Sequence, residues 1–126
     1  MKISKQNIHL WISVPIVFAA GLSYGFFPNE FVELQPNSVD EHNFHKAIAG
    51  LYFGCAFLWI LGLAKKSLFK TALLSHIFFM IPMGIGRLIG IISDGVPSTL
   101  YVYGTIGELV LGCCGIWVFT KYREQM

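Results

Sequence analysis

Four apolar runs, each of about twenty residues, dominate this 126-residue chain and leave few folds open to it. They extend from about Ile8 to Phe27, Phe44 to Leu63, Thr71 to Ile92 and Thr99 to Thr120. Each has the length needed to cross roughly 30 Å of hydrocarbon as a helix. Backbone groups in lipid must pair within their own segment, and none of the runs alternates as a strand does. The expectation is therefore all-α: a single transmembrane domain over residues 1–126, an integral membrane four-helix bundle. Composition agrees. Hydrophobic residues make up 55% and charged residues 13%, against about 25% charged in an ordinary soluble domain. A chain this short has too much surface for its volume to hide that much apolar area from water.

Lys2 and Lys5 before the first run resemble the start of a signal peptide; the run is read as a first membrane helix, with Pro15 expected to bend it or leave one carbonyl unpaired. Lys65, Lys66 and Lys70 separate the second and third runs, and Lys121 and Arg123 follow the fourth. Glu30, Glu33, Asp40, Glu41 and Asp94 fall in the alternate connections. The positive-inside rule then predicts an up-down-up-down bundle with both termini cytoplasmic, in the inner (plasma) membrane. Gly21/Gly25, Gly50/Gly54 and Gly86/Gly90 form GxxxG pairs, and the fourth run carries Gly104, Gly107, Gly112 and Gly115. Such spacing lets helices approach closely, within the bundle or in a homo-oligomer joined through glycine-rich faces.

Several classes of function find no support. Cys55, Cys113 and Cys114 have neither disulfide-framework nor zinc-ligand spacing and read as small apolar fillers. His42 and His45 beside Asp40 and Glu41 lack a metal-site pattern, so no metal and no cofactor is expected. There is no basic patch with interleaved aromatics for nucleic acid. No nucleophile elbow, phosphate loop or dinucleotide fingerprint is present, which weighs against an enzyme.

Two ionisable residues lie well inside the runs, Arg87 and Glu108. A charge at mid-bilayer costs about 2.5–3.5 kcal/mol even on the lenient insertion scale, so each needs a partner inside the bundle. A short turn joins their helices, which puts Arg87 about 8 Å deep and Glu108 about 13 Å deep from the same side, within reach of one another. His76, Met80, Met83, Arg87, Gly90 and Asp94 recur at spacings of three and four and share one stripe. His45 and Tyr52 share a face of the second helix, with Asn43 and Lys46 at its outer end. These residues predict an outward-opening polar pocket containing Asn43, His45, Lys46, Tyr52, Arg87, Asp94 and Glu108, with His76, Met80 and Met83 as its deeper wall. Blander readings stand beside this one. Arg87 with Glu108 also serves as a purely structural ion pair; Asp94 also serves as a turn residue before Gly95. Asn43 also fits a helix N-cap, and Ser38 to Glu41 fits a capping box just upstream.

The stretches Asn43 to Tyr52, Gly86-Arg87-Leu88-Ile89-Gly90, Ser93 to Ser98 and Gly107-Glu108-Leu109 resemble the DUF4345 family of small, mostly bacterial four-helix membrane proteins, itself DoxX-like. The resemblance covers nearly the whole chain. It implies a shared polar set at Asn43, Lys46, Gly50, Tyr52, Gly86, Arg87, Asp94, Gly95, Pro97 and Glu108. At the basic position the family pattern has Arg, and this chain has Lys46, a compact point charge without a planar fork. The resemblance supplies no substrate. The reading that follows is a membrane protein binding a lipid-like or quinone-like amphiphile; a transporter or proton relay through Glu108, Arg87 and His76, an accessory subunit and a membrane enzyme are the alternatives.

Overall fold

The computed structural model describes residues 2–126. Among them are five α-helices and no strand. Helix α1 spans Ile8–Phe26, the single-turn α2 Pro28–Phe31, α3 Val39–Ala64, α4 Lys66–Asp94 and α5 Thr99–Tyr122, followed by a 3-10 turn at Arg123–Gln125. The four long helices are long and apolar enough to cross a membrane. Large apolar side chains such as Ile16, Phe57, Phe78, Ile89, Ile106 and Val110 remain exposed on their outer faces. That is the surface of a multi-pass membrane protein, whose outer residues meet acyl chains rather than water.

The helices begin and end where local chemistry dictates. Helix α3 starts five residues before its apolar run because Ser38 caps it, accepting the Glu41 amide at 3.1 Å. The Glu41 carboxylate reaches back to the Asn37 amide at 2.8 Å. The capping signal at Ser38 thus prevails, and Asn43 lies inside α3, exposed to the surroundings. Only Lys65 separates α3 from α4, held in an extended conformation. At the far end Gly95 stops α4 with φ +104°, a conformation costly for any residue with a Cβ. Pro15 and Pro82 lie within α1 and α4, and both helices continue through them.

Packing is built on α1 with α3, α3 with α4, and α4 with α5. In each case residue numbers rise along one helix as they fall along the other. Gly21 meets Tyr52 and Phe53, Gly25 meets Ala49, Gly62 meets Ala72, Gly84 meets Leu109, and Gly115 meets His76. A Cβ on Gly25 would lie 2.5 Å from that of Ala49, so this contact demands glycine. Gly50, Gly54 and Gly86, by contrast, face nothing within 4 Å. Of the three GxxxG pairs, only Gly21/Gly25 therefore closes a helix contact in the bundle; periodicity does not say which side of a helix its neighbour occupies. Leu10, Val17, Ala56, Trp59, Leu73 and Met80 form the buried centre. Helices α1 and α5 touch only sparsely, which leaves a gap between the first and last long helices.

Candidate functional site

The two intramembrane charges meet. Arg87 Nε donates to both oxygens of Glu108, at 3.0 and 3.1 Å. The side chains are 23% and 14% exposed, so most of the pair is withdrawn from its surroundings. Arg87 Nη2 donates to the Tyr24 hydroxyl at 3.2 Å, which joins α4 to α1 as well as to α5. The guanidinium also lies 5.7 Å from the centre of the Tyr101 ring, a cation–π distance. Tyr24 packs edge-on to Tyr52, whose hydroxyl donates to the Met83 sulfur at 3.1 Å.

Arg87 stands at the junction of three cavities. A cavity of about 430 Å³ fills the gap between α1 and α5. Its walls are mostly apolar, and among the described residues Arg87 and Glu108 are the charged ones that line it. Phe31 and Val32, after the end of α1, bound it too, and the Tyr101 hydroxyl donates to the Val32 carbonyl, tying that segment to α5. A second cavity of about 210 Å³ holds His45, Tyr52 and Arg87. A third, of about 270 Å³, joins Arg87 to Asp94 and Gly95. Tyr101 borders all three.

The residues expected in one chamber are thus divided. Arg87, Glu108, Tyr52 and Met80 line the cavity between α1 and α5. His45 borders the 210 Å³ space and Asp94 the 270 Å³ space. Asn43, Lys46, Met83 and His76 line none of the three. Two of the divided residues have a clear local partner. His45 Nδ1 donates to the Tyr24 carbonyl at 3.1 Å, and Lys46 Nζ donates to the Gly25 carbonyl at 3.2 Å. Tyr24 and Gly25 lie in the last turn of α1, where carbonyls have no partner within the helix and a cation is favoured. The Lys46 ammonium meets this requirement as well as a guanidinium would.

His76 belongs to a separate polar cluster, one turn below the cavity floor formed by Val17 and Met80. The Ser13 hydroxyl donates to the His9 carbonyl at 2.6 Å, so its oxygen accepts from His76 Nε2 at 2.8 Å. His76 therefore carries its proton on Nε2, and its Nδ1 is a buried lone pair without a partner. The His9 ring packs edge-on to His76 with centroids 4.9 Å apart, and neither of its nitrogens has a partner. Trp59 closes the cluster against the other side of His76. Among the described residues no group of three His, Cys, Asp or Glu side chains could hold a metal ion.

Sequence reasoning did not single out Tyr24, Tyr101, His9 or Ser13. A signal was present on α1: His9, Ser13, Val17, Ala20 and Tyr24 recur at spacings of four and three and define one stripe. Ser13 and Tyr24 face the core, where His76 and Arg87 of α4 bond to them, and His9 packs its ring against His76.

A family model described as Domain of unknown function (DUF4345) matches residues 5–119. No curated protein and no solved structure matches the chain. With the family model covering all but the ends of the sequence, the chain belongs to the DUF4345 family.

Proposed function

We propose that this protein binds a lipid-like amphiphile within the membrane, in the cavity between α1 and α5, with the polar end of the molecule at Arg87, Glu108 and Tyr24. The bundle runs up-down-up-down in the inner membrane of a bacterial cell, with both termini cytoplasmic. The opposed helix contacts and the seven cations at one set of helix ends support that orientation. One observation carries the binding reading: a mostly apolar space of about 430 Å³ ends on a pair of charged groups and tyrosine hydroxyls. That volume lies within the range of small-molecule sites, and so does the pattern of apolar walls with a few polar groups. The position of the cavity between two loosely packed helices gives the bilayer side the readier route of entry.

The test uses the glycine wall. Gly104 and Gly107 line the cavity, and a Cβ on either meets no atom within 4 Å. Gly107→Phe therefore fills the space without displacing a neighbour at its base. Extraction and mass spectrometry of the purified protein should recover a stoichiometric amphiphile from the native chain and at least tenfold less from the variant. Equal recovery from both, or none from the native chain, would reject the reading.

A second reading is a proton relay, favoured by the buried His9–His76 pair, which extends the polar residues of the inner half beyond His76. Between that cluster and Arg87–Glu108 lies an apolar cavity rather than a hydrogen-bonded chain, which ranks the relay second. Proton flux into liposomes, compared for the native chain, Glu108→Gln and His76→Phe, decides it; equal flux from all three removes the relay.

A further inference from the structure

Arginine presents five N–H donors. In Arg87 the Nε–H is shared between the two Glu108 oxygens, and one Nη2–H goes to Tyr24. Three N–H groups remain. Arg87 borders the cavity between α1 and α5 and both smaller ones, so these groups are not sealed in the core. The site therefore has donors to spare but no net charge, because Arg87 and Glu108, the two charged residues among the described ones lining the cavity between α1 and α5, cancel.

This combination is selective. An anionic head entering the cavity would gain hydrogen bonds from Arg87 but would also face Glu108, and it would leave one uncompensated negative charge in a medium that solvates charge poorly. A cationic head would meet the reverse problem and would find Arg87 donors where it needs acceptors. A carbonyl, ester or similar oxygen takes the spare N–H groups and adds no charge. We propose that the amphiphile is uncharged, with an oxygen-acceptor head, and that Glu108 is the residue that excludes anionic lipids by neutralising Arg87. The inference rests on the binding reading above and narrows it to one ligand class.

Three probes of equal chain length test it: methyl palmitate, hexadecanesulfonate and hexadecyltrimethylammonium, added to the full chain in phosphatidylcholine nanodiscs and scored by native mass spectrometry. The native chain should retain the ester at least tenfold more than either ion. Glu108→Gln leaves a net cation in the cavity and should reverse the order, with the sulfonate now retained at least tenfold over the ester. Preferential retention of the sulfonate by the native chain would overturn the headgroup assignment and leave the cavity reading standing. Retention of no probe, or ester retention unchanged by Gly107→Phe, would overturn both. If Glu108→Gln does not fold, the charge-free double variant Arg87→Met with Glu108→Leu replaces it. That variant should hold methyl palmitate no better than hexadecane; a retained preference for the ester would show that Arg87 does not receive the head.

Discussion

Arg87 and Glu108 meet through a single nitrogen: Nε donates to both carboxylate oxygens, at 3.0 and 3.1 Å, and leaves the outer edge of the guanidinium to Tyr24 and the adjoining cavities. Were the pair only a clamp between α4 and α5, a fork-to-fork arrangement using two nitrogens would hold it more firmly. The side-on geometry keeps charge balance while leaving donors unused. Losing one partner should destabilise the bundle by about 3–5 kcal/mol, since a withdrawn charge is left alone. Glu108→Gln should cost more than Arg87→Met, because a solitary carboxylate can take up a proton and a guanidinium cannot lose one. Replacing both with Met and Leu should recover most of the loss. Thermal unfolding of the four proteins in one detergent checks the order.

The glycines divide into two kinds, and mutation should separate them. At Gly25 an added methyl collides with Ala49, so Gly25→Ala should lower stability by about 1–3 kcal/mol. At Gly50 the same change meets nothing and removes the backbone freedom of a mid-helix glycine, so Gly50→Ala should be neutral or stabilise by up to about 1 kcal/mol. Melting temperatures of the two variants measured side by side would test this.

His9 is buried with both ring nitrogens unpartnered. An unsatisfied buried polar group costs about 1–3 kcal/mol, so His9→Leu should raise the melting temperature rather than lower it. Ser13→Ala should do the opposite, because it strands the Nε2 proton of His76. Adding His76→Phe to Ser13→Ala should restore part of the loss. A stabilised His9→Leu protein that also loses proton flux would move the relay ahead of the binding reading.

Lys46 and His45 close the end of α1. With Lys46→Met the Gly25 carbonyl loses its ammonium and the helix terminus loses a favourable charge, worth about 0.3–1 kcal/mol. The amide of Phe27, which bonds to the Ser23 carbonyl, should exchange up to about fivefold faster in hydrogen–deuterium measurements. Lys46→Arg should keep native exchange, because a guanidinium supplies the same positive charge and N–H donors to the Gly25 carbonyl.

Orientation can be read directly. In a background without Cys55, Cys113 and Cys114, a cysteine at Asn37 or Ser98 should react with a membrane-impermeant maleimide added outside intact cells. One at Lys65 should react only after the membrane is opened. The reverse pattern would invert the bundle.

Much of this molecule was legible from residue order because its signals are local. Each helix needs only an unbroken apolar run, and the start of α3 needs only Ser38 and Glu41 three residues apart. The Arg87–Glu108 contact was legible for a different reason: two charges in hydrocarbon have few alternatives to each other. Tyr24 was not legible as the third member, because its hydroxyl meets Arg87 across 63 positions of sequence. The same separation hides the Ser13–His76 bond. Stripe periodicity sets His76, Met80, Arg87 and Asp94 along α4, but a stripe is longer than any one cavity. It could not say that the first lies below the floor and the last in another space.

Sequence alone determined four spans and the need for the intramembrane charges to find partners, since hydrogen bonding and solvation in lipid act residue by residue along a helix. Tertiary structure alone decided which helices leave a gap. Where small residues let α1 approach α3 and α4 approach α5, the backbones close. Between α1 and α5 no such fit exists, and the space that remains runs to Arg87. Packing is a property of two surfaces at once, and no single run of residues contains both.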